Sequence, residues 1–289
     1  MFLPTTIKEV RARGWEQLDV ILFSGDAYID HPAFGAAVIG RLLEAEGYRV
    51  AIVPQPNWRD DLRDFTKLGA PRLFFGVSAG SMDSMVNHYT ANLRLRSNDA
   101  YTPGGKAGFR PDYAVKVYTQ ILKRLFPHVP VVIGGIEASL RRLTHYDYWN
   151  DTLKPSVLAE SGADLLIYGM GERVVQQVAK AMRNGYNAKL LRKLRQVAFI
   201  ADDGYVERLD PAETIRLHAY EECVRDKRAF GENFTIIETQ SNLMEPTATL
   251  IEAVGDRYVV VTPSNTTLST DELDHSFDLP HQRAPHPRY

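Results

Sequence analysis

The chain has 289 residues, 44% of them hydrophobic and 24% charged, which is an ordinary composition for a globular protein of one large or two modest domains. The formal net charge is −2, from 34 basic and 36 acidic residues, so no overall field attracts nucleic acid or an anionic membrane. No apolar run approaches the roughly 20 residues that a membrane-spanning helix needs, and the N-terminus lacks a signal-peptide core. We therefore expect a cytoplasmic protein with no membrane and no nucleic-acid partner.

The number of cysteines limits the disulfides and metal sites that the chain can form. Cys223 is the single cysteine of the sequence, which excludes an intrachain disulfide. It also excludes a four-cysteine zinc site and an iron–sulfur cluster held by several thiolates of this chain. We expect Cys223 to be an inert, partly buried residue of a helix.

The first recognisable unit spans residues 21–56. A short apolar strand (21–24) is followed by a polar loop, a helix that begins near Pro32 and ends at Gly47, and a second strand (49–54). The crossover between the two strands should be right-handed. Open α/β sheets bind ligands at the carboxyl ends of their strands, which makes this loop a candidate ligand site. Its candidate residues are Asp26, Tyr28, Asp30 and His31, with Gly35 at the start of the helix.

Further short apolar strands are predicted at residues 72–78, 130–133, 164–168 and 196–200, with helices between them. This alternation predicts a doubly wound, mainly parallel α/β sheet. Three of the strands end in turns of small residues, which would clear space along one edge of the sheet. The candidate ligand-binding residues at these turns are Ser78, Gly80, Gly134, Gly135, Glu137, Ser139, Gly169, Gly171 and Glu172. For Glu137, stabilisation of a helix N-terminus is a sufficient structural alternative.

Residues 87–112 interrupt the pattern without a sustained period. A segment of this length inside a domain is more often functional or disordered than passive, and its aromatic residues argue against disorder. We expect an ordered insert over the carboxyl edge of the sheet; a solvated loop is the alternative.

The pattern changes near residue 205, so we predict an α/β domain at 1–204 and a smaller α/β extension at 205–289. In the extension we expect a helix at 211–228, strands at 234–239 and 257–262, and a short helix at 247–253. Ser269 and Glu272 form a capping box that opens a last helix. The tail FDLPHQRAPHPRY is interpreted as an unpacked linker.

Several familiar motifs are missing from the sequence. There is no G-x-G-x-x-G after the first strand and no G-x-x-x-x-G-K-[ST] loop, so a nicotinamide or nucleotide-hydrolysing enzyme is not favoured. Asp26, Asp30 and His31 could bind a metal or exchange protons in a hydrolase or transferase. Alternatively, they cap the following helix and hold the loop together.

Five segments together resemble one protein family. They are FLPTT, GDAYIDHPAFGAAVIGRLLEAEGYRVAIVPQP, YTANLRLRSNDAYTPGGKAGFRPDYA, GGIEASLRRLTHYDYW and FDLPHQRAPHPRY. The chain resembles the N-terminal part of the YgiQ-type radical S-adenosylmethionine (radical SAM) proteins over essentially its whole length. The resemblance implies a flavodoxin-type module similar to cobalamin-binding domains. It also implies a radical SAM core beyond residue 289, whose C-x3-C-x2-C cysteines hold a [4Fe–4S] cluster that cleaves S-adenosylmethionine.

The resemblance also sets expectations for cofactors and partners. The cluster and S-adenosylmethionine are expected only with the core, because Cys223 cannot replace three ligands. Cobalamin is a possible ligand of this chain, but the D-x-H-x-x-G motif of cobalamin domains is not kept, so no metal ligand is assigned to His31. The implied partners are the core in the same chain and a small-molecule substrate that the sequence does not identify. The chain would bind a ligand or gate substrate access, or would alternatively be a non-catalytic module that docks the core.

Overall fold

Strands and helices alternate along most of the computed structural model, which describes residues 1–185, 187 and 190–289. The strands are β1 (Val20–Ser24), β2 (Ile29–Asp30), β3 (Val50–Pro54), β4 (Phe74–Ser78), β5 (Val131–Ile133), β6 (His145–Asp147), β7 (Thr152–Lys154), β8 (Leu165–Ile167), β9 (Val197–Ala201), β10 (Thr214–Arg216), β11 (Thr249–Val254), β12 (Arg257–Val261) and β13 (Ala284–Pro285). The helices are α1 (Ile7–Ala12), α2 (Gly35–Ala45), α3 (Arg63–Thr66), α4 (Ser84–His88), α5 (Ala114–Leu125), α6 (Gly135–Leu140), α7 (Val157–Ser161), α8 (Glu172–Arg183), α9 (Asp203–Val206), α10 (Tyr220–Arg225), α11 (Lys227–Ser241) and α12 (Thr270–Asp278). Short 3₁₀ turns occur at Pro103–Gly105, Leu190–Lys193 and Pro211–Glu213.

Nine of these strands form one sheet in the order β10-β11-β12-β9-β8-β5-β4-β1-β3. The block from β3 to β8 is parallel, whereas β9 and β12 run antiparallel to their neighbours. This confirms the predicted α/β class with a mainly parallel sheet. Within the block the chain order reverses between β1 and β4, as in the flavodoxin-like doubly wound order. Such a reversal opens a crevice outside the carboxyl ends of the two strands.

Alternate side chains of the buried strands supply two cores, one on each face of the sheet. Ile21 and Phe23 face the core that α1, α3, α5 and α7 cover. Leu22 and Ile52 face the core that α2 and α8 cover. Because both faces are covered, the strands are apolar along their whole length, which is why they read as continuous hydrophobic runs in the sequence.

The strands after residue 204 extend the same sheet instead of forming a sheet of their own. β12 pairs antiparallel with β9, and β11 and β10 follow it to the edge. Whether 1–204 and 205–289 behave as separate domains stays a prediction. None of the helices in the described ranges has the length and hydropathy needed to span a bilayer.

Three predicted elements of this region are wrong. The expected helix at 211–228 contains β10, and the expected strand at 234–239 lies inside α11. A short apolar run is compatible with either structure, and here the helix buries Ala229 and Asn233 on one side, with Ile236 and Ile237 partly packed against the core. The expected helix at 247–253 is β11, which turns into β12 through Gly255 and Asp256; Gly255 has φ 60°. A two-residue Gly-Asp connection is a hairpin signal.

The prediction that the C-terminal tail is an unpacked linker is also wrong. β13 pairs antiparallel with β2, and the Gln282 amide donates a 3.0 Å hydrogen bond to Asp30 Oδ2. The Tyr289 hydroxyl accepts a 3.0 Å hydrogen bond from the Tyr28 amide. His281 and His286 are buried in this contact. The histidines and prolines of the tail therefore complete the structure around the first loop.

Glu252 is an unusual residue of β11, because its carboxyl is buried in the sheet with 1% exposure. Its Oε2 accepts a 2.9 Å hydrogen bond from the Thr144 amide, whereas Oε1 is buried without a hydrogen-bond partner. Burial raises the pKa of Glu252 to about 7. Folding therefore holds a proton on this carboxyl that the unfolded chain loses above its ordinary pKa.

We predict that Glu252→Gln removes a pH dependence of stability. The free energy of unfolding of the unsubstituted chain should fall as the pH rises from about 5 to about 7 and then level off, because only the unfolded state ionises in that window. The variant should become relatively more stable by up to about 3 kcal/mol at about pH 8. Urea unfolding across this range measures the difference. The exposed control Glu213→Gln should run parallel to the unsubstituted chain, and a constant offset for Glu252→Gln would contradict the prediction.

Candidate functional site

A cavity of about 370 Å³ opens at the carboxyl edge of the sheet, where the chain order reverses. It lies between the N-terminal turns of α2 and α8 and the face of the sheet that carries Leu22 and Ile52. Its volume falls in the range of about 300–1,000 Å³ that is usual for small-molecule sites. The position agrees with the general rule for ligands of open α/β sheets.

Glycine residues leave this space free. Gly76 stands in the middle of β4, and a Cβ there would come within 2.6 Å of Leu22 Cδ2. Gly80 has φ 109°, and a side chain there would overlap the Asp26 carboxylate. By contrast, a Cβ on Gly35 would meet open space at the first turn of α2. The β4 glycine and the turn glycines thus let backbone and side chains approach closely around the cavity.

The sequence-predicted candidates divide into two groups. Ten of them line the cavity: Asp26, Tyr28, Gly35, Ser78, Gly80, Gly134, Gly135, Gly169, Gly171 and Glu172. The rest of the lining is mainly apolar, with Phe34, Val132 and Ile167 among its residues. The function of these residues stays a prediction, but the structure brings turns from four parts of the sequence to one place.

Asp30 and His31 do not line the cavity. Asp30 is fully buried and forms an ion pair with Arg41, whose Nε donates a 3.0 Å hydrogen bond to Oδ1. His31 Nδ1 accepts a 3.1 Å hydrogen bond from the Ala33 amide. These contacts agree with the alternative in which the residues hold the loop together. The predicted capping of the helix is wrong, because the N-cap residue of α2 is Phe34 and no side chain caps it.

Glu137 and Ser139 also lie outside the lining. The Glu137 carboxylate is buried and accepts hydrogen bonds from the amides of Ser84 and Val115, at 2.8 and 2.9 Å. It therefore stabilises the first turns of α4 and α5 as well as its own helix. Ser139 Oγ donates to the Gly135 carbonyl at 2.8 Å and accepts from the Gly169 amide at 3.0 Å, which links two turns that line the cavity.

Asp26 is the most constrained polar residue of the cavity wall. Its Oδ2 accepts hydrogen bonds from the amide and hydroxyl of Ser81, at 2.7 and 2.8 Å, and its Oδ1 lies 3.0 Å from Arg110 Nη2. Burial raises the pKa of Asp26, although Arg110 and Ser81 favour the ionised form. Asp26 is thus held in one orientation by two other segments of the chain.

The insert at residues 87–112 supplies one of these segments. Arg110 is buried to 1% exposure and donates to the Ala79 carbonyl at 2.7 Å and to Asp99 Oδ2 at 3.1 Å. The Tyr101 carbonyl accepts a 2.9 Å hydrogen bond from the Ala27 amide. These contacts attach the insert to the loop after β1 and to the end of β4.

Sequence reasoning missed two contributors to this site. Gly76 carried a usable signal, because an isolated glycine inside a strand marks a close approach. Arg110 carried none, since one arginine among the basic residues of a polar insert gives no sign that it is buried.

The described residues offer no set of side chains for a metal site. They include no group of three or more His, Cys, Asp or Glu side chains able to bind a metal ion. Cys223 is fully buried and receives a 3.2 Å hydrogen bond from Asn233 Nδ2. Burial raises the pKa of its thiol to about 11, which disfavours the thiolate that a metal needs.

The fold and the cavity define a doubly wound α/β module with a ligand-sized pocket at the switch point of its sheet. A family model described as Radical SAM N-terminal matches residues 2–289. The chain belongs to this family. The resemblance to the N-terminal part of radical SAM proteins is therefore confirmed, whereas the likeness to cobalamin domains stays a prediction.

Relatives named UPF0313 protein align with the whole chain. One from Porphyromonas gingivalis is 61% identical and covers 100% of this chain and 45% of its own length. One from Bacteroides thetaiotaomicron is 56% identical, with 100% and 48% covered, and one from Thermotoga maritima is 46% identical, with 100% and 50% covered. The chain thus spans about half the length of the curated relatives it matches. No solved structure matches it.

We predict that Arg110→Met destabilises the protein by about 3–5 kcal/mol, because it leaves the buried carboxylates of Asp26 and Asp99 without their cation. Urea unfolding near neutral pH measures the loss, and Arg110→Lys should lose less because it keeps a positive charge. Arg94→Met removes an exposed arginine of the same insert and should change stability by no more than about 0.5 kcal/mol. Equal effects of the Arg110 and Arg94 variants would refute the assigned role.

Proposed function

We propose that this chain is the ligand-binding module of a radical SAM family protein and that its ligand enters the cavity at the carboxyl edge of the sheet. The observation that carries the proposal is the cavity itself, with its apolar interior and glycine rim at the switch point. A polar opening and an apolar interior are the usual features of a small-molecule site. The chain supplies no cluster ligands, so catalysis would depend on a radical core with its own [4Fe–4S] cluster and S-adenosylmethionine.

Cobalamin is the specific ligand to test first. The turns at Ser78, Gly134–Gly135 and Gly169 would hold an extended group, and the apolar space beside Leu22 and Ile52 would accept its end. A histidine ligand to cobalt does not fit, because His31 is outside the cavity lining and its Nδ1 accepts the Ala33 amide. Cobalamin would therefore bind without a protein ligand to the metal. When bound, it would supply radical chemistry to the neighbouring core.

We predict that Gly35→Trp blocks the cavity and weakens cobalamin binding by at least about 10-fold, or about 1.4 kcal/mol. A Cβ at Gly35 would meet no atom within 4 Å, and Gly35 is an exposed residue of the lining, so a large side chain there should obstruct the ligand without disturbing the fold. Absorbance and calorimetric titrations to high micromolar cobalamin measure the change.

Gly231→Trp is the matched control. A Cβ at Gly231 would also meet no atom within 4 Å, but Gly231 lies on α11 and does not line the cavity. Binding by this variant should equal that of the unsubstituted chain. A flat titration of the unsubstituted chain would remove cobalamin as the ligand, and equal binding by the Gly35 variant would remove the cavity as its site.

A second candidate function is docking of the radical core, and a specific observation favours it. Large apolar side chains are exposed in the connections that follow β4, β5 and β8: Leu93, Leu95, Phe109, Ile136, Leu140, Tyr146, Tyr148 and Met170. Clusters of exposed apolar side chains often mark protein contacts. The occupant we propose is the radical core, because the relatives are about twice as long as the matched region.

We predict that this surface binds the part of the Porphyromonas gingivalis relative that the chain does not cover. On co-expression the two should copurify, and Leu95→Glu with Leu140→Glu should abolish copurification by placing two charges in the contact. Met244→Glu, at a residue with 78% exposure in the connection after α11, is the control and should copurify as the unsubstituted chain does. If the unsubstituted pair never copurifies, the docking function is wrong.

A further inference from the structure

We infer that the cavity recognises its ligand through a nitrogen group that donates hydrogen bonds, cationic or neutral, and not through a phosphate or carboxylate group. This inference rests on the proposed function and names the chemical class that the same cavity would select.

The first observation is the charge of the lining. Among the described residues, the cavity wall contains two carboxylates, Asp26 and Glu172, and no lysine, arginine or histidine. Oxyanion sites are built from basic side chains and from the free amides of helix N-termini, and this cavity offers only the helix N-termini. Arg110 balances the charge of Asp26 from outside the lining, whereas no cationic side chain of the lining pairs with Glu172. An oxyanion in this cavity would therefore approach the carboxylate of Glu172 with no cationic side chain of the lining to receive it.

The second observation is an unsatisfied acceptor. Glu172 is the first residue of α8, and its Oε2 is buried without a hydrogen-bond partner. A buried acceptor without a partner costs free energy comparable to a lost hydrogen bond. Stabilisation of the helix N-terminus explains an acidic residue here, but it does not require that this oxygen be buried beside a cavity. A ligand N–H group would satisfy it.

The N-termini of α2 and α8 oppose this preference, because both start at the cavity. Each helix N-terminus is equivalent to about half a positive charge, whereas an ionised carboxylate carries a full negative charge. The negative charge of Glu172 therefore balances the positive charge of the two N-termini together, so the helix ends leave the cavity no net preference for an anion. Arg110 does not line the cavity, and its guanidinium is already shared by Asp26, Asp99 and the Ala79 carbonyl.

Three probes that each contain a phenyl ring test the inference: benzamidine, benzamide and benzoate. They share the apolar part and differ in the polar group, which is a cationic donor, a neutral donor or an anion. By NMR titration of the unsubstituted chain, benzamidine should bind at least about 10-fold more tightly than benzoate, with benzamide between them. Glu172→Gln should weaken benzamidine binding by about 5- to 10-fold and change benzamide binding by less than about 2-fold.

Glu207→Gln removes the same charge from an exposed position outside the cavity and should leave all three affinities unchanged. The inference would be overturned if benzoate bound as tightly as benzamidine. If Gly35→Trp abolished the binding of both, the cavity would still stand as a ligand site. Binding of every probe unaffected by Gly35→Trp, or no binding of any probe, would overturn the proposed function and the inference together. A Glu172→Gln variant that keeps its full preference for benzamidine would also overturn the inference.

Discussion

The carboxyl edge of this protein depends on one buried ionic contact, that of Arg110 with Asp26 and Asp99. The three residues come from the insert and from the loop after β1, and Arg110 also binds the carbonyl of Ala79 at the end of β4. Removing two carboxylates and a guanidinium from water costs several kcal/mol per ion, so the contact persists only because each group finds partners in this geometry. With these bonds in place, the insert holds the loop after β1 and the end of β4, and these two segments line the cavity.

The parallel half of the sheet was predictable because its strands are buried on both faces. Residues 74–78 and 131–133 therefore appear as apolar runs between helices with apolar stripes. The same logic fails near the antiparallel edge. Phe234 and Ile236 lie in an exposed or half-buried helix, where a short apolar run has no fixed period to identify it. The strand β11 could have been predicted, since Gly255-Asp256 between two runs rich in β-forming residues is typical of a hairpin connection.

The part of the cavity lining that was predictable from the sequence is the part formed by glycines with a particular backbone conformation. Gly80, Gly135 and Gly169 all have positive φ values at strand ends, and such glycines stand out in a sequence. The contacts of the charged residues were not predictable. A carboxylate gives the same sequence pattern whether its side chain faces a ligand or an ion-pair partner far away in the chain. Asp30 forms an ion pair with Arg41, and the Glu137 carboxylate accepts hydrogen bonds from the amides of Ser84 and Val115. Those pairings depend on how separate segments meet in the folded chain.

The return of the tail to the first loop has a consequence for the order of folding. The Gln282 amide bonds to Asp30, and the Tyr289 hydroxyl receives the amide of Tyr28, so partners more than 250 positions apart must meet. Contacts between such remote parts of a chain form late, because a long loop must close before they contribute. During synthesis, the residues of all nine strands of the main sheet leave the ribosome before residues 282–289. The hydrogen bonds of Tyr28 and Asp30 with this segment can therefore form only after every strand of the sheet has been synthesised.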